Sequence, residues 1–425
     1  MYARNSKENQ PNITPMKVLF TFGGLPHYYN YVLNQLKDIN NIDVHVLVPL
    51  KKSEIIGKGV FQSEAGIKFK IYKLPEYNPW YGREFFRGFS KLFDEVQPDI
   101  IVAAWPYILG FIFLPSILLK MKLRKTGLIL KEIPFGIPRR KEAVEFYTGE
   151  NLYSENTNKT GYDKGIASNL KIKLLTFIRI IIYNMVDAHV NYISEAYDIF
   201  GSYGVNKEKI FITYNSPDTS RLIKAKEELE SRGVQPVAHR VIHVGRLVKW
   251  KRVDLLIDAV AELKKEFPGI ELYIIGEGPE KDSLERQAEQ LNINDNIHFI
   301  GSVYDPVELG NYLMNSSIYV LAGMGGLSIN EAMSFGKPVI CSVCDGTEKE
   351  LVRDGYNGFF FKEGDKFDLV DKVRFLLKNP DLKNEMGNNS FNIIKNKINI
   401  NSVLNGYHQA FAYVYKKYNN LILND

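Results

Sequence analysis

Apolar positions along this chain come in short runs separated by stretches of helical spacing, and glycines stand where one gives way to the other. KVLFTF at residues 17–22 is a run suited to a buried strand. Gly23-Gly24 turns it into HYYNYVLNQLKDI, where Val32, Leu33 and Leu36 recur at helical steps. IDVHVLVPL, near 42–50, predicts a second strand, and IIVAA at 100–104 and GLILKEIPF predict two more. Residues 187–218 read as strand, helix and strand, closing in a turn at 215–218. The second half repeats the rhythm: VIHVG, a helix over 253–266, ELYIIG, a helix over 280–291 and IHFIG at 297–301. SIYVLAG, a helix over 328–335, PVICSV, a helix over 367–378 and a closing helix near 402–418 complete it.

Strand, glycine turn, helix and strand in that order open a doubly wound α/β domain, and the order occurs twice. The expected fold is α/β, with two Rossmann-like domains facing across a cleft and ligands beyond the carboxyl ends of the strands. The boundaries expected are a disordered tail over 1–15, a first domain over 16–218 and a second over 219–401, with 402–425 packing back on the first. The polar helical stretch SRLIKAKEELESRGVQPVAHR reads as the linker. Residues 139–169, charged and asparagine-rich, read as a mobile loop.

At 425 residues the chain is too long for a single core, and 45% hydrophobic with 24% charged residues is ordinary globular composition. A net charge of +5 does not call for nucleic acid; it suits an anionic ligand or membrane face. The two cysteines, Cys341 and Cys344, form a lone CxxC with apolar flanks, which favours core packing over metal or redox chemistry. With no signal peptide and no apolar run of the ~20 residues a spanning helix needs, the chain reads as cytoplasmic. Two segments keep a membrane in view. YILGFIFLPSILLKMKLRK, interrupted by Pro115, ends in Lys120, Lys122, Arg124 and Lys125, and LKIKLLTFIRIIIYNMV at 170–186 is apolar and basic without an acid. A core helix is the default reading of each; each also suits an anionic bilayer, apolar side down.

Candidate chemistry concentrates in two stretches. VIHVGRLVKWK ends a strand at Gly245 and brings Arg246 and Lys251 to a helix entrance, where outward amides, partial positive charge and two full charges suit a dianion. A solvated basic turn is the plain alternative. In GMGGLSINEAMSFGKPVI, the amides of Gly326, Leu327 and Ser328 suit a phosphate oxygen, and Glu331 suits the vicinal hydroxyls of a ribose. Helix capping by that acid is the alternative. Gly276 and Gly278 lack the third glycine of a dinucleotide fingerprint, Lys281 standing in its place, but still let a base or ribose lie against backbone. Gly23 and Gly24 suit close approach of a phosphate or sugar, or simply a tight turn.

GRLVKWK, IIGEGP, the Gly-Gly-Leu loop with Glu331-Ala332-Met333, Gly336-x-Pro338-Val339-Ile340 and Glu350-Leu351-Val352 followed by Gly358-Phe359 together resemble family four (group 1) of the nucleotide-sugar glycosyltransferases. The match is close over 241–361. It is looser through Gly23-Gly24 and the ISEA…YNSPD segment. The resemblance implies the GT-B fold and a retaining, metal-independent transfer without a cofactor. A UDP- or GDP-sugar would be the donor and a glycan or lipid-linked molecule the acceptor, as in polysaccharide or lipopolysaccharide synthesis. It implies that Arg246 and Lys251 hold the diphosphate and stabilise the leaving nucleotide, that Glu331 holds the ribose, that Gly326 to Ser328 meet the distal phosphate and sugar, and that Ile300 and Val303 contact the base.

Two departures accompany it. Gly323 stands where the family usually has a sugar-facing glutamate, eight residues before Glu331. Where the family often has a histidine after a central first-domain strand, this chain offers Lys131 and Glu132. Glu132 is a candidate catalytic or acceptor-positioning acid, or a surface partner of Lys131; His27 is a further candidate. A non-catalytic nucleotide-sugar-binding subunit and a GT-B epimerase or hydrolase remain rival functions.

Overall fold

The computed structural model describes residues 14–39, 41–51, 64–132, 136–148, 165–343 and 346–419. The chain divides into two compact units, Met1–Glu132 with Asn184–His189 and His408–Asp425, and Ile133–Tyr183 with Val190–Tyr407.

Nine strands belong to the first part of the chain: β1 (Met16–Thr21), β2 (Ile42–Pro49), β3 (Lys70–Leu74), β4 (Glu76–Tyr77), β5 (Phe85–Phe86), β6 (Ile100–Ala103), β7 (Gly127–Lys131), β8 (Ala188–Asn191) and β9 (Ile210–Ile212). All but β4 and β5 join one sheet in the order β3-β2-β1-β6-β7-β8-β9, and β4 pairs with β5 as a separate antiparallel ribbon. β1 pairs in parallel on both sides, Val18 against Val44 and against Ile100. This is why its run is apolar without alternation: Val18, Leu19 and Phe20 are buried whichever way they point.

The second sheet holds β10 (Arg240–Val244), β11 (Glu271–Ile275), β12 (Ile297–Gly301), β13 (Ile318–Leu321), β14 (Val339–Ser342) and β15 (Gly358–Phe361). They lie in the order β12-β11-β10-β13-β14-β15, all parallel. The fold is thus α/β, two parallel-stranded sheets with helices in the connections. Along β10, Val241 faces one apolar cluster, and Ile242 and Val244 face another.

Three local expectations change. The stretch read as a linker forms the helix Thr219–Ser231, and its Leu222, Ala225 and Leu229 are buried with Ile242, Leu313 and Met333. Three apolar positions at helical steps are enough for docking; truncating Leu229 to alanine would cost ~2–5 kcal/mol by the usual cavity cost. The stretch read as a mobile loop carries a 3₁₀ turn, Arg140–Glu142, and the helix Ala143–Thr148; residues 149–164 lie outside the described residues. The helix Pro380–Asn396, opened by its first-position proline, had no sequence counterpart. Cys341 is buried in β14, as core packing requires; Cys344 and the tail over 1–13 lie outside the described residues. No helix among the described residues is long and apolar enough to cross a membrane.

Candidate active site

β10 ends at Val244, and from Gly245 the chain makes an open turn to the 3₁₀ helix Lys249–Lys251 before the helix Val253–Lys264 begins. Two glycines at the end of β11 make room for this turn. A β-carbon on Gly276, where φ is +141°, would stand 1.9 Å from the Gly245 carbonyl oxygen. On Gly278 it would stand 2.2 Å from the Leu247 oxygen. Hydrogen bonds lock the two loops, from Leu247 N to Glu277 O (3.0 Å) and from Glu280 N to Leu247 O (3.1 Å). The bare faces of both glycines are therefore taken up by the Gly245–Leu247 backbone, a packing reason for GEG that the sequence does not disclose.

Lys251 is buried, and its ammonium donates to the carbonyl oxygens of Met324 (2.7 Å) and Gly325 (2.6 Å). A β-carbon on Gly326 would lie 3.1 Å from Lys251 Nζ. The glycine-rich loop after β13 is thus wrapped on this lysine, with Met324 N bonded to Trp250 O at 2.8 Å. Gly323 sits closer still: its β-carbon would be 2.2 Å from Trp250 O and 2.7 Å from Lys251 C. Arg246 is half-buried, its guanidinium 5.8 Å from the Trp250 ring centroid.

Past the loop, the helix Ser328–Ser334 is held from beneath by the Tyr319 hydroxyl, which donates to Ser328 Oγ at 2.8 Å. Its Asn330 side-chain amide donates to Asn215 O at 3.1 Å. Glu331 is half-buried, and no hydrogen-bond donor or cation of the described residues reaches its carboxylate. Burial alone pushes its pKa up to about 7. Once ionised, it is an acceptor-only group suited to ligand hydroxyls that would donate to it.

His243, a polar residue inside the apolar run of β10, is fully buried. Its Nδ1 lies 3.1 Å from Val320 O and so carries the proton, leaving Nε2 an acceptor with no hydrogen-bond partner among the described residues. Nε2 and the Lys251 stem lie 3.4 and 3.8 Å from the place of a Gly245 β-carbon. Burial, with the nearby Lys251 charge, pushes the ring down to about 4, so it is neutral. Its one sequence signal is a polar residue amid an apolar strand.

The second unit therefore brings together Gly245, Arg246 and Lys251 with Gly326, and Leu327, Ser328 and Glu331 follow on the same loop and helix. Ile300 lies in β12, and Ile300 and Val303 are half-buried against the apolar cluster that includes Ile275 and Leu309. The other candidates lie on the first unit. Gly23 and Gly24, with Leu50, Lys51 and Lys73, line a cavity of about 430 Å³ beyond the ends of β1 and β2. Lys73 there pairs with Glu64 at 2.6 Å. Glu132 follows β7 and is half-buried, while Lys131 is buried with its ammonium 5.3 Å from the Tyr29 ring centroid. His27 opens the helix His27–Asp38; its side chain lies outside the described residues.

The sequence itself matches known proteins over this region. Residues 225–392 match the family of glycosyl transferases group 1. An uncharacterized glycosyltransferase of Methanocaldococcus jannaschii is 26% identical over 412 residues, 92% of this chain and 94% of that protein. Poly(ribitol-phosphate) alpha-N-acetylglucosaminyltransferase of Staphylococcus aureus is 28% identical over 40% of this chain, which spans about a third (34%) of that protein's length. Among solved structures, HepE from Anabaena in complex with UDP superposes with a TM-score of 0.64 at 16% identity, over 94% of this chain and all (100%) of that one. These findings place residues 225–392 among the group 1 glycosyltransferases and give the chain the fold of its structural neighbours, as the sequence resemblance implies.

Proposed function

We propose that this protein transfers a sugar from a nucleoside-diphosphate donor, a UDP- or GDP-sugar, to a glycan or lipid-linked acceptor in cell-surface polysaccharide synthesis. The observation that carries the reading is the half-buried Glu331 carboxylate beyond the glycine loop that wraps Lys251. The relatives support UDP before GDP, since HepE has been solved with UDP and with UDP-glucose. In this reading Glu331 accepts the ribose hydroxyls, and Arg246 and Lys251 take the charge that grows on the diphosphate. The bond from the anomeric carbon to the phosphate oxygen breaks, the acceptor oxygen bonds to that carbon on the same face, and the acceptor proton passes to the departing phosphate. No metal takes part; cationic side chains take its role. Glu132, on the first unit, positions the acceptor, and Gly23 and Gly24 let the donor approach backbone.

The protein works in the cytoplasm, peripherally on the inner face of the plasma membrane, where lipid-linked acceptors are found. The test is a calorimetric titration of UDP, GDP, ADP and TDP, followed by turnover of the matching sugar donors with and without a glycan acceptor. Binding of one nucleotide, lost in Glu331→Ala, with acceptor-dependent release of that nucleotide, is the result expected. Binding without turnover under any acceptor would favour a binding subunit; turnover without acceptor would favour a hydrolase or epimerase.

A further inference from the structure

β10 and β13 lie side by side in the middle of the second sheet, and the chain leaves them in opposite directions, from β10 to β11 on one side and from β13 to β14 on the other. A crevice opens between neighbouring strands wherever the order reverses in this way. Main-chain pairing of the two strands covers Val241 with Ile318 and Ile242 with Tyr319. One residue on, the imidazole of His243 spans the gap, its Nδ1 donating to Val320 O at 3.1 Å. His243 is fully buried, and alternation along the strand puts it on the side of Val241, whose apolar cluster includes Leu247, Val253 and Val320. A leucine would suit that cluster better than an imidazole whose Nε2 has no hydrogen-bond partner among the described residues. Packing therefore gives no reason for a histidine here; the bond to Val320 does.

The bond joins the roots of the two loops that build the site. Val244 and Gly245 follow His243 into the turn that carries Arg246 and Lys251, and Leu321 to Gly323 follow Val320 into the glycine loop. Further out the same two connections meet again, where the Lys251 ammonium donates to Met324 O and Gly325 O at 2.7 and 2.6 Å. The place of a Gly245 β-carbon is 3.4 Å from His243 Nε2 and 3.8 Å from Lys251 Cε, so ring and lysine stem pack beside the same glycine. We propose that His243 is a positioning residue of the transfer: by holding the end of β10 to the end of β13, it fixes where the Lys251 ammonium and the glycine loop stand relative to the departing diphosphate. A neutral ring does this without adding a second charge beside Lys251. The inference rests on the proposed transfer for its kinetic consequence, and on the two strand ends alone for its structural one. A small shift of these ends costs turnover more than affinity, because the charge to be met on the diphosphate is largest as the sugar–phosphate bond breaks.

The experiment compares His243→Leu, His243→Asn and His243→Gln in the full chain, with a thermal melt of each. Two readouts are taken: hydrogen exchange of the Met324 to Leu327 amides, and turnover of the UDP- or GDP-sugar that the wild type uses, beside titration with UDP and GDP. Asparagine places its amide N–H where Nδ1 stands, glutamine places its own where Nε2 stands, and leucine has neither. We expect faster loop exchange and a kcat lowered ~10-fold or more in His243→Leu, with nucleotide affinity within ~3-fold of the parent. His243→Asn recovers both exchange and kcat, and His243→Gln recovers neither. If the leucine variant melts early, the asparagine and glutamine variants, one methylene apart, decide by themselves. Loop exchange at the parental rate in His243→Leu overturns the proposal whatever the turnover shows, and so does a loss of kcat and affinity by the same factor. Recovery by glutamine in place of asparagine overturns it too, moving the essential atom to Nε2. Wild-type protein that turns over no nucleotide sugar would remove the transferase reading and leave the clamp to stand or fall on loop exchange.

Discussion

Gly323 lies so close to Trp250 that a β-carbon at 323 would stand 2.2 Å from the Trp250 carbonyl oxygen. The position at which the group 1 resemblance anticipates a sugar-facing glutamate cannot take any side chain without moving backbone. The loop is drawn in, and its next two carbonyls are bonded to the Lys251 ammonium instead.

Restoring the family's residue should therefore harm the protein. Gly323→Glu is expected to cost ~2 kcal/mol or more of stability, the usual magnitude for overpacking a filled site. Nucleotide affinity should fall with it, because the loop that holds Lys251 must shift. Urea unfolding and nucleotide titration of Gly323→Ala and Gly323→Glu together check this. A glutamate variant as stable as the parent and binding more tightly would show that the loop opens freely.

Lys251 has two tasks that its variants can separate. Its ammonium ties down the Met324 and Gly325 carbonyls, and in the proposed function it also meets the diphosphate. Lys251→Met keeps the buried stem and removes the charge-assisted bonds, so nucleotide affinity should fall roughly 10- to 100-fold, as for one to two such bonds. Arg246→Ala should weaken nucleotide binding with less loss of stability than Lys251→Met, since Arg246 is half-buried whereas Lys251 is buried. Lys249, exposed on the same turn, serves as the control: Lys249→Ala should change neither.

These tests bear on what the residues alone made legible. Parallel strands read well, because a run buried on both faces, such as VLF in β1, needs no tertiary context. Each of the two candidate stretches was legible by itself, because turn glycines, cations and a helix start share one local grammar; that Lys251 ties down the glycine loop was not. The reason for Gly276 and Gly278 was not, since it lies in the carbonyls of Gly245 and Leu247, more than two dozen residues away in sequence. Polar composition hid the core role of Thr219–Ser231, where three apolar side chains outweigh many solvated ones. The exposed apolar face of the helix Ile166–Met185 was hidden for the opposite reason: sequence shows that a helix is apolar, not which side its neighbours cover.

Two neighbouring contacts within the second unit should differ in worth. Glu350 Oε1 accepts the Ser194 backbone N–H at 2.6 Å and also the Ser194 hydroxyl, and its side chain is only 11% exposed. Lys349 pairs with Glu195 at 3.1 Å, both side chains far more exposed than that of Glu350. Glu350→Ala leaves the Ser194 N–H without its charged acceptor and is expected to cost ~2–3 kcal/mol. Lys349→Ala should cost at most ~1 kcal/mol, as for an exposed pair. Urea unfolding of both variants decides it, and equal losses would contradict the ranking.

Glu331 should make nucleotide binding depend on pH. Burial raises its pKa from 4.5 to about 7, so the folded apo-protein holds a proton there that the unfolded chain releases. A carboxyl whose folded pKa is raised contributes stability that is fully present below about 4.5 and is lost as pH rises through about 7. Ribose hydroxyls act as donors and favour the ionised acceptor, so ligand binding works in the other direction. Affinity should rise as pH climbs through about 7 and level off above it, with a proton released on binding at the lower end of that range. Glu331→Gln cannot ionise, and its weaker binding should be flat over the same pH range. Calorimetry in buffers of different ionisation enthalpy reads both the affinity and the proton count. An affinity independent of pH in the parent protein, or a glutamine variant that keeps the same slope, would move the titrating group away from Glu331.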